Sequence, residues 1–229
     1  MTTTFSGKRT ARVAGLLYLG VVITGLISLM YIPSQLLVAG NAAATVEHIC
    51  ASVTLLRYWI VSGLLCYTFF LFLPLALYQL LSPVNETYAR LMVLLGVMSV
   101  PIYFINVQNL LSVLSLVSGA AGGYGLSLQP MQAQVMLYLD QYNQGMRVIH
   151  IFSGLWLFPF GWLVYRSGFL PKILGVLLMA GCFGYLINFL GNTLVPGYSA
   201  LGIAAYISLP ASLGEIGTCL WLLIVGVRR

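Results

Sequence analysis

The stretch RYWIVSGLLCYTFFLFLPLALYQLLS, residues 57–82, decides the fold class, because it contains no charged side chain after Arg57. A bilayer core about 30 Å thick requires roughly 20 consecutive apolar residues in a helix, and this stretch exceeds that length. Backbone amides in lipid find no water to bond, so only helices and closed barrels cross a membrane. A barrel strand would alternate in hydrophobicity over about ten residues. The stretch therefore predicts a transmembrane helix.

Five further stretches have the same apolar character, at approximately 13–31, 90–118, 147–166, 172–193 and 206–227. Together they predict an all-α fold, a polytopic membrane helix bundle of about six transmembrane helices in a single transmembrane domain over residues 1–229. Only 6% of the 229 residues are charged, against about a quarter in a soluble domain. Short outer-face helices are predicted at approximately 42–54 and 130–142.

The first stretch is longer than the roughly 7–15 apolar residues of a signal peptide, which favours an uncleaved anchor. The small residues at 42–44 leave cleavage as the alternative. Lysine and arginine predict the orientation, because cytoplasmic loops carry an excess of them. With a cytoplasmic N-terminus, the outer side holds only Arg57 and Arg147. The cytoplasmic side then holds Lys8, Arg9, Arg12, Arg90, Arg166, Lys172, Arg228 and Arg229. Both termini are therefore predicted to be cytoplasmic.

Polar side chains fall at similar depths on several spans. With a rise of 1.5 Å per residue, Glu215 lies roughly 18 Å above the cytoplasmic end of the sixth span. A carboxyl group at that depth costs about 2.5–3.5 kcal/mol unless it faces protein or water. Ser208, Ser212 and Cys219 share its helical face, so we expect that face to point inward. The other polar side chains come out at roughly 20–24 Å by the same rise: Tyr67, Tyr103, Asn106, His150, Tyr185 and Asn188.

These residues predict a polar chamber in the outer half of the membrane, where Glu215 meets a cationic or hydrogen-bonding small molecule, or a proton. The two outer arginines and His150 would form its rim, and an arginine there could alternatively bind a lipid phosphate. Membrane lipids and a small-molecule ligand are thus the expected partners. The full set of candidate ligand-binding residues is Glu215, His150, Arg57, Arg147, Tyr103, Asn106, Tyr185 and Asn188.

Two alternatives stay open. Asparagine and tyrosine in membrane helices often hold helices together, at about 0.6 kcal/mol for each hydrogen bond, so the cluster is also typical of an accessory or structural membrane protein. A weaker alternative is an intramembrane lipid-modifying enzyme in which His150 and Glu215 act as an acid–base pair.

Other chemistries lack the residues they need. A zinc site needs about three good protein ligands, and the chain has only His48 and His150. The four cysteines show no CxxC pairing, and neither a nucleophile elbow nor a Walker loop occurs. Ten basic residues spread over six spans form no basic stripe, which excludes a nucleic-acid partner. We therefore assign no catalytic residue, metal or cofactor, and disfavour an enzyme.

An internal repeat is suggested by spacing. Counted from the basic residue that opens each span, Tyr103 and Tyr185 share an offset of thirteen residues, and Asn106 and Asn188 share sixteen. The pattern predicts a parallel repeat of helix hairpins 2–3 and 4–5 about an axis normal to the membrane. Chance similarity between apolar stretches is the alternative.

The most distinctive motif is YRSGFLPKILG, residues 165–175, and it is accompanied by GYL at 184–186, PGY at 196–198 and SPVN at 82–85. With these motifs the chain, from residue 12 onward, resembles the bacterial family known as domain of unknown function 4386. The resemblance implies a membrane protein of about six helices in a bacterial inner membrane, and it leaves the activity open.

Overall fold

The computed structural model describes residues 3–120 and 128–227. All regular elements of these residues are helical and none is a strand, which confirms the all-α prediction. The α-helices are α1 (Thr3–Leu26), α2 (Ile32–Leu36), α3 (Ala42–Ala51), α4 (Val53–Leu81), α5 (Glu86–Asn106), α6 (Gln108–Ser115), α7 (Leu128–Leu155), α8 (Leu157–Ser167), α9 (Lys172–Leu194) and α10 (Ile203–Ile224). Arg228 and Arg229, used above for the orientation, lie outside the described residues.

Within residues 3–120 and 128–227, six helical segments are long and apolar enough to cross a membrane, so the polytopic bundle is confirmed. The first segment ends later than predicted because a π-helical turn at Ile27–Tyr31 continues the helix into α2, and the third segment begins earlier than predicted, at Glu86. Asn85 begins α5 by accepting a hydrogen bond from the Tyr88 N–H at 3.0 Å, as an N-cap does. The six segments are Gly7–Leu36, Val53–Leu81, Glu86–Ser118, Gln129–Ser167, Lys172–Leu194 and Ile203–Ile224.

The helix predicted at 130–142 is not a separate outer helix in the structure. The structure runs it into the fourth span as one helix, α7. Gly145 is the single helix-weakening residue at the junction, and a glycine costs a helix only about 1 kcal/mol. A Cβ on Gly145 would overlap the side chain of Asn106, which donates a hydrogen bond to the Tyr142 carbonyl at 2.9 Å. The glycine thus permits close helix contact and does not end the helix.

The described residues form two compact units. The first comprises residues up to 20, residues 69–100 and residues from 147 onward. Its core contains Trp156, whose ring stacks on Phe160 at 5.1 Å and meets Phe70 edge-on at 5.0 Å. Helices α9 and α10 approach closely where Gly181 faces Ala211. Small residues at such crossings let helix backbones pack in a membrane, where apolar attraction between helices is weak.

The second unit comprises residues 21–68 and 101–146. Its core is aromatic and carries polar atoms. Tyr103 stacks on Tyr67 with 3.9 Å between ring centroids, and Trp59 meets Tyr142 edge-on at 5.5 Å. Tyr103, Trp59 and Tyr142 are each exposed by at most a few per cent. This unit is therefore held by large aromatic side chains, which gain from such offset and edge contacts beyond their buried area.

Candidate functional site

Glu215 lies within the apolar helix α10 and is half-buried. The preceding Gly214 packs against Leu178 of α9, and a Cβ there would stand 3.0 Å from the Leu178 backbone nitrogen. One turn beyond, Cys219 is buried and its thiol faces the Gly15 carbonyl of α1 at 3.7 Å. The carboxyl group is therefore carried on a helix that packs against both α1 and α9.

The inward face predicted for α10 is present at three of its four positions. Glu215 is half-buried, Cys219 is buried, and Ser208 accepts a hydrogen bond from Asn188 at 2.8 Å. Ser212 is exposed instead, and its hydroxyl bonds the Ser208 carbonyl of its own helix at 3.4 Å. Serine satisfies itself in this way on apolar surfaces. Ser212 therefore contributes nothing to the site.

Two tyrosines interact with the Glu215 carboxyl group. Tyr18 of α1 is 2% exposed, and its hydroxyl interacts with the carboxyl group, although it completes no hydrogen bond of standard geometry within the described residues. Tyr185 of α9 interacts with the carboxyl group electrostatically. Tyr18 is not among the residues predicted from the sequence. The depth calculation used for the other spans could have identified it, because a rise of 1.5 Å per residue places Tyr18 roughly 15 Å above Lys8, close to the depth of Glu215.

His150 joins this group through Tyr185. The two rings lie 5.7 Å apart, inclined at 50°, and the His150 ring is half-buried. One turn further along α7, Gly154 faces the Cβ of Tyr185, where an added Cβ would stand only 2.6 Å away. No contact between His150 and Glu215 is found in the described part of the chain. We call Tyr18, His150, Tyr185 and Glu215 the acidic cluster.

Asn188 belongs to a separate hydrogen-bond network in the first unit. Its side-chain nitrogen donates to the Ala204 carbonyl at 3.0 Å and to the Ser208 hydroxyl at 2.8 Å. Its side-chain oxygen accepts from the Tyr198 hydroxyl at 2.8 Å. Both donor and acceptor groups of the amide are therefore used within the protein. This is the arrangement of an asparagine that holds helices together.

Tyr103 and Asn106 lie in the second unit. The Tyr103 hydroxyl stands directly over Gly63, where a Cβ would overlap it. Asn106 donates to the Tyr142 carbonyl and accepts from the amide of Asn109 at 3.1 Å. Both residues are buried.

The two predicted rim arginines, Arg57 and Arg147, are both exposed. Arg57 belongs to the second unit and Arg147 begins the last segment of the first. Their role in a rim stays a prediction. Of the eight predicted residues, the structure thus brings His150, Tyr185 and Glu215 together. Among the residues described, no group of three or more histidines, cysteines and acidic residues is placed to hold a metal ion.

Comparison with known proteins gives a family but no activity. A protein of Archaeoglobus fulgidus with the name "Uncharacterized protein" is 38% identical over 77 residues, which cover 34% of this chain and 43% of that protein. The chain thus matches less than half of this relative's length. No solved structure matches the chain. The model of the family described as "Domain of unknown function (DUF4386)" matches residues 13–226. The chain therefore belongs to the domain of unknown function 4386 family of multi-pass membrane proteins.

Proposed function

We propose that this membrane protein binds a small cationic or hydrogen-bonding ligand, or a proton, at Glu215. The observation that carries the proposal is a half-buried carboxyl group in the middle of an apolar membrane-spanning helix. An ionisable residue at such a depth is retained at a cost of about 2.5–3.5 kcal/mol and commonly marks a ligand or ion site.

The surroundings of Glu215 favour a ligand that brings positive charge. Tyr18 and Tyr185 offer hydroxyl groups, which donate hydrogen bonds but carry no charge. Within the described residues, the one ion pair joins Arg90 to Glu86, so no lysine or arginine neutralises Glu215. A proton or a cation supplies the charge that the protein itself does not place there.

The wider polar chamber is part of the same proposal. In it, His150 and Arg147 stand nearest the outer surface, and the aromatic faces of the acidic cluster receive the ligand, since aromatic rings attract cations. Arg57, Tyr103 and Asn106, of the second unit, stay predictions for this chamber. Asn188 contributes through helix packing, because its amide is already used within the protein.

A second function is favoured by a specific observation. The side-chain amides of Asn106 and Asn188 both donate hydrogen bonds to protein partners. This is the arrangement expected of an accessory protein whose polar residues hold helices together. In that case Glu215 is one more internal hydrogen-bonding group. The lipid-modifying enzyme has no such support, since His150 contacts Tyr185 and not Glu215 in the described residues.

Glu215→Gln separates the two functions. Glutamine keeps the shape and the hydrogen-bonding capacity but removes the charge. Purified protein in detergent would be titrated with Na⁺, K⁺ and tetramethylammonium while its melting temperature is followed, and a pH difference infrared spectrum would report a protonated carboxyl band. Glu86→Gln, which removes an exposed carboxylate outside the cluster, is the matched control.

If Glu215 is a binding site, Glu215→Gln keeps its basal melting temperature and loses the cation-induced rise or the carboxyl band, while Glu86→Gln keeps both. A lowered basal melting temperature in Glu215→Gln, with no cation response and no carboxyl band in the parent protein, contradicts the proposal and supports the accessory role.

We further propose that the protein lies in a bacterial cell membrane with both termini in the cytoplasm, on the strength of its lysine and arginine distribution. Cys50 offers a test, because it is exposed while Cys66, Cys182 and Cys219 are buried. It lies in α3, on the proposed outer side. A membrane-impermeant maleimide should therefore label intact cells at Cys50, and Cys50→Ser should abolish the labelling.

The pH dependence of that labelling has a defined sign. The Cys50 side chain is exposed, but neighbouring groups still partly desolvate its thiol, and this raises the pKa of the thiol above its ordinary value. Because only the thiolate reacts, labelling should accelerate as the pH rises through the alkaline range. Labelling of inverted vesicles but not of intact cells would reverse the proposed orientation.

A further inference from the structure

A cavity of about 650 Å³ lies in the first unit, away from the acidic cluster. Its walls come from the start of α1, the end of α4, the link after it and the end of α8. Cavities of roughly 300–1,000 Å³ are the size that holds small ligands. The lining residues used below are Thr10, Gln79, Asn85, Trp162, Arg166 and Phe169.

The cavity lies where membrane-spanning segments end. Thr10 is three residues into the first segment, Gln79 is two residues from the end of the second, and Asn85 directly precedes the third. Arg166 is the penultimate residue of the fourth. Four helix ends thus place the cavity at the level of the lipid headgroups, which flank the hydrocarbon core on each side.

Arg166 places a positive charge at the wall of the cavity. The exposed Arg166 guanidinium lies over the Trp162 ring, 5.7 Å from its centroid. Trp162 is itself held by stacking on Tyr88 at 4.2 Å. A cation over an aromatic face is attracted by the ring and keeps its orientation. The Trp162 ring therefore orients the Arg166 guanidinium, whose planar set of N–H groups can donate hydrogen bonds to a ligand.

None of the described residues that line the cavity is acidic. The nearest acidic residue in sequence, Glu86, is paired with Arg90. Lys8 and Arg9 directly precede Thr10 in the chain and add positive charge. The cavity is consequently an environment for an anion, and arginine binds the oxygens of a phosphate through two parallel hydrogen bonds.

The rest of the lining is mixed. Thr10, Gln79 and Asn85 carry hydrogen-bonding side chains, whereas Leu80, Val84 and Phe169 are apolar. We propose that this cavity binds a phosphate ester, with Arg166 as its cationic contact. The ester group belongs either to an anionic phospholipid, whose glyceride part meets the apolar wall, or to a soluble phosphate compound.

The test compares Arg166→Gln with Lys172→Gln. Lys172 is an exposed cation that also lies over an aromatic ring, 5.5 Å from Tyr165, and it does not line the cavity. Purified protein in neutral detergent would be titrated with phosphatidylglycerol, phosphatidylcholine and glycerol 3-phosphate. Bound lipid would be counted by native mass spectrometry and the melting temperature followed in parallel.

We expect phosphatidylglycerol to bind the parent protein and Lys172→Gln equally, and Arg166→Gln about tenfold more weakly, as the loss of a charged hydrogen bond implies. A matching response to glycerol 3-phosphate assigns the site to soluble phosphate compounds. Equal binding of phosphatidylglycerol and of glycerol 3-phosphate by Arg166→Gln and Lys172→Gln overturns the proposal. If Arg166→Gln fails to fold, Arg166→Lys takes its place. It keeps the charge without the fork, and undiminished binding by it counts against the site.

Discussion

The spacing Tyr-x-x-Asn occurs twice in this chain, and the two copies have different surroundings. Tyr103 is fully buried, stacks on Tyr67 and has its hydroxyl over Gly63. Tyr185 is half-buried and stands beside His150 and an acidic side chain. Tyr103 is part of a packed aromatic core, whereas Tyr185 lies beside an ionisable group. Equal spacing in sequence therefore does not give equal function.

The asparagines of the two copies behave more alike. Asn106 donates to the Tyr142 carbonyl and Asn188 to the Ala204 carbonyl, in each case on a different helix. Asn188 has two further partners, Ser208 and Tyr198. A buried amide must find partners wherever it lies, so asparagine tolerates a change of surroundings better than tyrosine does.

The largest effect is expected where each tyrosine meets a glycine. Gly63→Ala puts a methyl group into the Tyr103 hydroxyl, and Gly154→Ala puts one against the Tyr185 Cβ. Each should lower the free energy of unfolding by about 1–3 kcal/mol, the usual cost of overpacking. The measurement is thermal unfolding of the purified protein in detergent.

The rescue of these variants separates the two copies. Tyr103→Phe removes the atom that Gly63→Ala overlaps, so the double variant should regain most of the lost stability. Tyr185→Phe leaves the Cβ in place and should not rescue Gly154→Ala. Failure of the first rescue, or success of the second, would show that the two contacts are not those described.

The sequence predicted the fold well because the length of an apolar stretch is a local property. Residues 57–82 alone are too apolar for any aqueous surface. Glu215 was also predictable, since one carboxyl group in a membrane helix needs a protein or water neighbour. The position of Tyr18 beside it was not, because the packing of α1 against α10 depends on contacts such as Cys219 with Gly15 that no local pattern specifies.

The junction near Gly145 and the cavity at Arg166 show a similar limit. A glycine inside a helical pattern indicates either a break or a close contact, and only the neighbouring helix, here with Asn106, decides between them. Arg166 was predicted to set the orientation as a loop charge. Its place in a cavity depends on four helix ends meeting, which a linear sequence does not show.

A smaller difference is expected between the asparagines. Asn188→Leu removes three hydrogen bonds to other residues, and Asn106→Leu removes one between helices together with the local bond to Asn109. Each such bond contributes about 0.6 kcal/mol in a membrane protein. Asn188→Leu should therefore lower the free energy of unfolding by about 1–2 kcal/mol. Asn106→Leu should cost less. Thermal unfolding of both variants in one detergent checks the order, and a larger loss for Asn106→Leu would contradict it.

The smallest effect belongs to the outermost bond of the Asn188 network. Tyr198→Phe removes the hydroxyl that donates to Asn188 at 2.8 Å and keeps the ring that packs on Gly191. It should cost about 0.6 kcal/mol, and Tyr206→Phe, at a tyrosine that is 74% exposed, should cost nothing measurable. Because Tyr198 and Asn188 share one bond, combining Tyr198→Phe with Asn188→Leu should add no further loss. If the losses of stability in that double variant are fully additive, the bond does not couple Tyr198 to Asn188. Asn188 would then resemble Asn106 more closely than its hydrogen bonds indicate.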